Sequence, residues 1–175
     1  MVINGFDLLS LAPIKDMEST KQNRFGVSYG LGEAGYDIRI KQQVNFSSVR
    51  GKPIVLVTEV NHQHETVGAT TQNGGRFTLA SAIEEFQMPE HLMGIVHDKS
   101  TWARRGLSVF NTVIEPGWKG FLTLELVYHG STPLHIPAGA GIAQVVFHEL
   151  KCTAAYNGKY QNQEKKPVPA KSTGA

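Results

Sequence analysis

The chain has 175 residues, a length typical of one domain, and its 41% hydrophobic and 18% charged residues are ordinary for a water-soluble protein. A net charge of +2 is too small to indicate a nucleic-acid-binding protein, and no apolar run approaches the roughly 20 residues of a membrane-spanning helix. Cys152 is the only cysteine and the N-terminal segment has no basic region, which excludes an internal disulfide, disfavours a secretory signal and predicts a cytoplasmic protein.

Short strand-like segments, apolar or alternating, dominate the chain between Gly- and Pro-rich turns. In chain order, strands are predicted over residues 36–44, 53–60, 76–80, 92–97, 107–114, 121–128, 133–136 and 142–150. The polar stretch 61–75 is expected to be a loop. One short helix is predicted over residues 100–105, with Ser100 as its N-cap and Gly106 where it stops. This pattern predicts an all-β sandwich, jelly roll or barrel.

The predicted helix follows a strand and carries Lys99, Ser100 and Thr101 at its start. Free backbone N–H groups, two hydroxyls and a lysine suit a phosphate, and Arg104 lies on the same side of the helix as Ser100. A capped helix with solvated cations explains the same residues equally well.

The segment from Asn111 through Thr112 and Val113 to Glu115 is predicted to enter a hairpin at Pro116-Gly117. Trp118 follows the turn directly and offers a flat surface for a sugar or base, although a core position is commoner for tryptophan.

Glu125 is the one carboxylate in the predicted strand 121–128, where Leu122, Leu124 and Leu126 share one face and Glu125 lies on the other. Burial would raise its pKa and allow it to accept and return a proton near neutral pH. An exposed glutamate on a half-solvated strand is the competing interpretation.

The cluster His62-Gln63-His64-Glu65 resembles a set of metal ligands but lies in a polar stretch without further partners, so metal binding there is disfavoured. A zinc-dependent nucleobase deaminase needs a P-C-x-x-C motif, which a chain with one cysteine does not contain.

The last 25 residues carry five lysines against one glutamate and have no apolar periodicity. We therefore divide the chain into a β domain at residues 1–155 and a flexible tail at residues 156–175. A basic tail is suited to closing over a small polyanion, and a solvated end is the simpler alternative.

Five segments in fixed order resemble the dCTP deaminase family, whose fold is shared with the dUTPases. They are AGYDIR (34–39), DKSTWARRGL (98–107), VIEPGWKGFLTLEL (113–126), PAGAGIAQVVF (137–147) and YNGKYQNQ (156–163). The resemblance implies a distorted, dUTPase-like β-sandwich with one short helix. It also implies a homotrimer with sites between subunits, and Mg²⁺ that accompanies the triphosphate.

The resemblance assigns roles at matching positions. It implies that Glu125 is the general acid/base, that Ser100 places the attacking water and that Arg104 supports the charged intermediate. It places Glu115 beside the sugar and Trp118 where a 2′-hydroxyl is excluded. The phosphate-binding set that it implies is Gln144, Tyr156, Lys159 and Gln163.

The expected reaction is hydrolytic deamination of dCTP to dUTP and ammonia without zinc. A bifunctional enzyme that continues to dUMP and diphosphate is the first alternative. A dUTPase, or a non-catalytic nucleotide-binding sandwich, comes after it.

Overall fold

The computed structural model describes residues 1–61, 63, 65–73, 75–110 and 112–172, and for residues 71–73 it describes the backbone. Within these residues the chain forms fourteen strands and two short helices. In chain order they are β1 (Val2–Ile3), α1 (Gly5–Leu11), β2 (Lys21–Arg24), β3 (Val27–Leu31), β4 (Tyr36–Arg39), β5 (Gln43–Val49), β6 (Lys52–Val60), β7 (Thr66–Asn73), β8 (Phe77–Gln87), β9 (Leu92–Asp98), α2 (Ser100–Ala103), β10 (Leu107–Val109), β11 (Val113–Ile114), β12 (Lys119–Tyr128), β13 (Leu134–Ile136) and β14 (Gly141–Glu149).

The strands form three antiparallel sheets. A seven-stranded sheet has the order β11-β9-β14-β4-β3-β2, and β1 pairs with the end of β14. A three-stranded sheet has the order β10-β12-β8, and a four-stranded sheet the order β13-β5-β6-β7. Buried side chains from all three sheets belong to one hydrophobic core, so the all-β sandwich predicted from the sequence is confirmed.

Strand β12 shows how the sequence produces this arrangement. Its residues Leu122, Leu124 and Leu126 are buried, as the alternating pattern predicts. A bulge between Phe121 and Thr123 shifts its register against β8. Because β12 lies between β8 and β10, its polar face is flanked by side chains from both neighbours.

A buried ion pair joins β4 to β8. The Nε of Arg39 donates to Oε1 of Glu84 over 2.8 Å, and the backbone N–H of Arg39 donates to the other carboxylate oxygen over 2.9 Å. Burial raises the pKa of the Glu84 carboxyl, and the charge of Arg39 opposes that shift. Glu84 is therefore buried with its charge compensated on one side, which ties the two strands together.

Three predicted elements are divided or re-paired in the structure. The single strand expected over residues 36–44 is broken into β4 and β5, which belong to different sheets, and Ile40 between them makes one bridge to Ala82. The strand expected over residues 107–114 is likewise broken into β10 and β11. Since β11 pairs with β9 while β12 pairs with β8 and β10, the predicted hairpin around Pro116 is wrong, although the turn itself forms.

Two further predictions about secondary structure are wrong. The polar stretch expected to be a loop contains β7, an eight-residue strand of which seven residues pair with β6, because backbone hydrogen bonds and Thr/Val side chains suit an exposed edge strand. The chain also has a helix that the sequence did not predict, α1, whose residue Leu8 is fully buried.

The predicted helix is α2, and it is shorter than expected. Lys99, not Ser100, occupies the N-cap position, and no side chain caps the helix. The helix ends at Ala103 with Arg104 as its C-cap, so the predicted stop at Gly106 is wrong, and Gly106, with a positive φ of 86°, ends the turn that follows the helix. None of the described helices is long and apolar enough to cross a membrane.

Candidate active site

A pocket of about 630 Å³ opens beside the three-stranded sheet. Its lining comes from β8, the segment 112–118 that contains β11, strand β12, and the C-terminal tail. The lining residues are Phe77, Leu79, Thr112, Val113, Ile114, Glu115, Trp118, Leu122, Thr123, Glu125, Tyr156, Tyr160, Gln163, Val168, Pro169 and Ala170. This volume is in the range of small-molecule sites, and apolar walls with a few polar groups are their usual composition.

Glu125 contributes its carboxylate to this pocket. It lies on β12 directly opposite Leu79 of β8, and the side chain is partly buried. Burial raises the pKa of Glu125, and a backbone hydrogen bond opposes part of that shift. The expected half-buried carboxylate in an apolar strand is therefore present, and its proton affinity is shifted in the direction that favours acid/base chemistry.

Glu115 and Trp118 line the same pocket from the turn that precedes β12. The turn closes through a 3.2 Å hydrogen bond from the backbone N–H of Trp118 to the carbonyl of Glu115, and Gly117 supplies the positive φ of 72°. The Trp118 ring is almost fully buried, its centroid lies 6.0 Å from that of Phe86, and its Nε1 donates to the carbonyl of Tyr160. Trp118 therefore belongs to the hydrophobic core and also lines the pocket.

The tail lies along the beginning of β12. The carbonyl of Gln163 accepts the backbone N–H of Phe121 at 3.1 Å, and Gln163 bridges Gly120 in parallel register. A Cβ on Gly120 would lie 2.5 Å from the backbone nitrogen of Gln163, so the tail approaches a position that only glycine can occupy. Tyr156 and Gln163 of the expected phosphate-binding set therefore line the pocket.

Thr123 is a pocket residue to which the sequence analysis gave no role. Its hydroxyl donates to Oε1 of Gln163 at 3.2 Å and accepts the backbone N–H of Val168 at 3.0 Å. Thr123 is two residues before Glu125 and lies on the same strand face, so a polar residue at that spacing was the available signal.

Lys159 belongs to the tail but does not line the described pocket. Its ammonium donates to the carbonyl of Lys171, whose own ammonium donates back to the carbonyl of Lys159. Both ammonium groups lie over the ring of Tyr160, at 5.1 and 5.6 Å from its centroid. This arrangement places two cations together at the outer side of the tail.

A second polar cluster lies on the seven-stranded sheet. Lys99 forms an ion pair with the buried carboxylate of Asp37 and donates to Ser28 at 2.9 Å. Gln144 donates from Nε2 to the other oxygen of Asp37 at 3.4 Å. Asp37 therefore positions two residues that were assigned to phosphate binding, and it was missed although it is the only carboxylate in the motif AGYDIR.

Helix α2 begins beside this second cluster. Ser100 and Arg104 are exposed and Thr101 is partly exposed, so their side chains remain available to a ligand. The helix is a single turn, and the expected cap by Ser100 is wrong because Lys99 takes that position. Neither Ser100 nor Arg104 is among the described residues that line the pocket of Glu125.

Within one chain the predicted site therefore has two parts. Glu125, Glu115, Trp118, Thr112 and Val113 lie together with the tail, whereas α2, Lys99 and Gln144 lie at the second cluster. Asn111, which was assigned to the site, and His62 and His64, which were considered as metal ligands, lie outside the described residues. No group of three His, Cys, Asp or Glu side chains able to hold a metal occurs within the part of the chain that is described.

Comparison with known sequences gives a consistent result. Residues 12–150 match the model of a family described as dCTP deaminase-like. The chain is 39% identical over 154 residues to a dCTP deaminase of Protochlamydia amoebophila, and the aligned region covers 82% of this chain and 80% of that protein. It is 38% identical over 154 residues to a dCTP deaminase of Campylobacter concisus, with 82% and 81% covered.

Comparison with solved structures supports the fold. A 2′-deoxycytidine 5′-triphosphate deaminase from Agrobacterium tumefaciens superposes with a TM-score of 0.53 at 14% identity, over 83% of this chain and 47% of that one. The dUTPase of Staphylococcus bacteriophage 80alpha gives a TM-score of 0.50 at 12% identity, over 91% and 95%. The expected dUTPase-like β fold is therefore confirmed.

Proposed function

Since this chain belongs to the dCTP deaminase-like family, we propose that it hydrolyses dCTP to dUTP and ammonia with Glu125 as the acid/base. The observation that supports this assignment most strongly is the half-buried carboxylate of Glu125, whose pKa is raised by burial, in a pocket large enough for a nucleoside. A binding protein has no need of such a carboxylate, whereas hydrolytic deamination needs a group that can both take and return a proton.

The reaction is a substitution at C4 of cytosine. The Glu125 carboxylate takes a proton from water while the oxygen forms a bond to C4, and the exocyclic nitrogen then receives a proton from the Glu125 carboxylic acid. The C4–N bond breaks, ammonia leaves, and the remaining hydroxyl proton moves to N3, which gives the C4 carbonyl and the N3–H of uracil. One water is consumed and one ammonia released, so Glu125 ends in the state in which it began.

Ser100 and Arg104 complete this site in the proposed homotrimer, where α2 of one subunit faces the pocket of the next. This proposal accounts for their exposure and for their separation from the pocket within one chain. Ser100 would hold the attacking water, and Arg104 would stabilise negative charge that develops during the addition. Lys99 and Gln144, both bonded to Asp37, would meet the phosphates of the same nucleotide.

Mixing two inactive variants tests the trimer. Glu125→Gln and Arg104→Ala subunits, unfolded and refolded together in equal amounts, would restore roughly a quarter of the sites if each site draws these residues from two subunits. Each variant refolded alone is the control. Mixed protein with no more activity than the two controls would contradict sites between subunits.

The tail is proposed to close over the nucleotide. Tyr156 and Gln163 already line the pocket, and Lys159 lies close by on the same segment. The residues suit a triphosphate that arrives with Mg²⁺, because the tail supplies cations and amides rather than a set of metal ligands. When bound, Mg²⁺ would offset part of the phosphate charge. The chain's single cysteine gives no zinc site of the nucleobase-deaminase type, so we propose that zinc is not required.

A bifunctional enzyme is the second candidate. Glu115 lines the same pocket as Glu125 and provides the second carboxylate that activation of water toward the α-phosphorus would need. Its side chain is one methylene longer than aspartate, and a displacement of about 1 Å in the attacking water costs on the order of 10²-fold in rate. We therefore place the simple deaminase first.

Substrate selectivity tests the assignment of the pocket. We expect dCTP to release ammonia with a kcat/KM at least about 100-fold above those of CTP and dCMP. In the proposed role the buried Trp118 would exclude a 2′-hydroxyl, and dCMP lacks the phosphates that the basic groups would bind. Equal turnover of all three nucleotides would contradict both the sugar and the phosphate assignments.

A further inference from the structure

Two phenylalanines beside Glu125 are exposed in a way that the proposed mechanism does not explain. Phe77 is 44% exposed and Phe110 is 53% exposed. Their ring centroids are 6.2 Å apart and the ring planes are inclined by 31°. An exposed pair of aromatic rings next to a pocket differs from single surface side chains, because a continuous apolar surface of this kind is suited to a ligand.

The strand register places these rings directly around Glu125. The backbone N–H of Phe110 donates to the carbonyl of Glu125 at 3.0 Å, which sets Phe110 opposite Glu125 on the β10 side. On the other side of β12, Phe77 pairs with Val127 and Leu79 pairs with Glu125. Glu125 is therefore bordered by Phe110, which directly follows β10, on one side and by Leu79 of β8 on the other.

The rings approach each other across β12. Strands β8 and β10 both flank β12, so their backbones are separated by two strand spacings, about 9–10 Å. A centroid distance of 6.2 Å is much shorter, which requires at least one of the rings to lean inward over β12. We call this pair, Phe77 and Phe110, the aromatic rim.

We propose that the aromatic rim is the wall against which the pyrimidine ring of dCTP packs while its C4 faces Glu125. Phe77 is itself a lining residue, so the rim is continuous with the pocket. A flat, weakly hydrated pyrimidine ring gains by contact with aromatic faces, and the rim loses exposed apolar area in the same step. This inference rests on the proposed function and assigns the base end of that site.

The same contact would keep water from Glu125. Burial already raises the pKa of this carboxyl, and the rim and Leu79 are its apolar neighbours on the two adjoining strands. The other titratable groups among the described lining residues are Glu115, Tyr156 and Tyr160. Removal of one ring would expose Glu125 to more water and move the acid limb of the activity profile to lower pH.

The test compares Phe110→Ala and Phe77→Ala with Phe110→Tyr, which keeps the ring, and with Phe25→Ala. Phe25 is 50% exposed and lies at the β2–β3 turn outside the pocket, so it is a matched control for loss of an exposed ring. The measurements are KM and kcat for ammonia release from dCTP, the pH profile of kcat/KM, and the molar mass in solution by light scattering.

We expect each alanine variant of the rim to raise KM about 10-fold or more, as loss of one base–aromatic contact does, and to shift the acid limb downward. Phe110→Tyr should keep a KM near that of the unchanged protein, and Phe25→Ala should match it in every measurement. The molar mass should be the same for all variants.

Three results would overturn the inference. If the unchanged protein is active and the rim variants show the same KM and the same acid limb of the pH profile, the role of the aromatic rim would be overturned and the proposed function would stand. Rim variants whose molar mass falls with their activity would show that the rings are a contact between subunits. An unchanged protein that releases no ammonia from dCTP would overturn the proposed function, and the rim's role with it.

Discussion

Replacement of Glu125 by glutamine removes the proton acceptor while keeping the shape of the side chain. A positioned general base contributes on the order of 10²–10⁴-fold in rate, so Glu125→Gln should lower kcat at least about 100-fold, equivalent to about 2.7 kcal/mol. Leu79 and the surrounding apolar residues keep their contacts because glutamine has the same number of heavy atoms. The affinity for dCTP, measured by isothermal titration calorimetry on the variant, should therefore change little.

The raised pKa of Glu125 has one consequence for activity, which a purely structural role would not produce, and one for stability. Activity requires the carboxylate, so kcat/KM of the unchanged protein should fall with decreasing pH at a higher pH than an ordinary glutamate would give. Because the folded state raises this pKa, the stability linked to Glu125 is present at low pH and is lost as the pH rises through the raised value. Glu125→Gln should therefore unfold at the same or a higher temperature than the unchanged protein above that pH.

The matched control is Glu85→Gln. Glu85 is on the neighbouring strand β8, is not among the described residues that line the pocket, and forms a long 3.6 Å ion pair with Lys15 at the surface. It should keep normal turnover. Turnover by Glu125→Gln above one tenth of that of the unchanged protein would refute the role given to Glu125.

Three further predictions concern the tail, the core and metals. Truncation after Cys152 should leave a folded protein, because the tail contributes little to the core, and should weaken the affinity for dCTP measured by calorimetry at least about 10-fold, because the tail carries lining residues. Unchanged affinity would show that the tail does not contribute to nucleotide binding. Arg39→Ala should lower the free energy of unfolding by about 3 kcal/mol in urea, since it leaves Glu84 buried without its partner; a loss below about 1 kcal/mol would show that the pair is well solvated. Activity should survive a zinc-selective chelator and fall when Mg²⁺ is removed; restoration by zinc would instead implicate His62 and His64.

The sequence predicted the strands that hold the chemistry better than their pairing. The alternation around Glu125 placed it correctly, because one buried face of three leucines determines where the other face points. The run from Leu107 to Ile114 gave no such constraint. Its apolar residues fit into either of two sheets. The point at which the chain passes from one sheet to the other depends on contacts with β9 and β12, which are distant in sequence.

The site was predicted in part for a similar reason. Residue types singled out Glu125 and Trp118, the resemblance added Gln163, and all three line the pocket. The partners that fix their surroundings come from remote segments. Asp37 meets Lys99 across 62 positions and Thr123 meets Gln163 across 40, and no local pattern indicates such pairs. The aromatic rim likewise depends on two strands meeting on either side of β12.

The most direct test of the central claim is the identity of the products formed from dCTP and Mg²⁺ by the unchanged protein. Nucleotides would be separated by anion-exchange chromatography, with ammonia and diphosphate measured in parallel. The account predicts dUTP and ammonia in equal amounts, with no diphosphate. Formation of dUMP and diphosphate in step with ammonia would replace the simple deaminase by the bifunctional enzyme. Recovery of dCTP without release of ammonia, under conditions in which the protein binds it, would contradict the deaminase assignment itself.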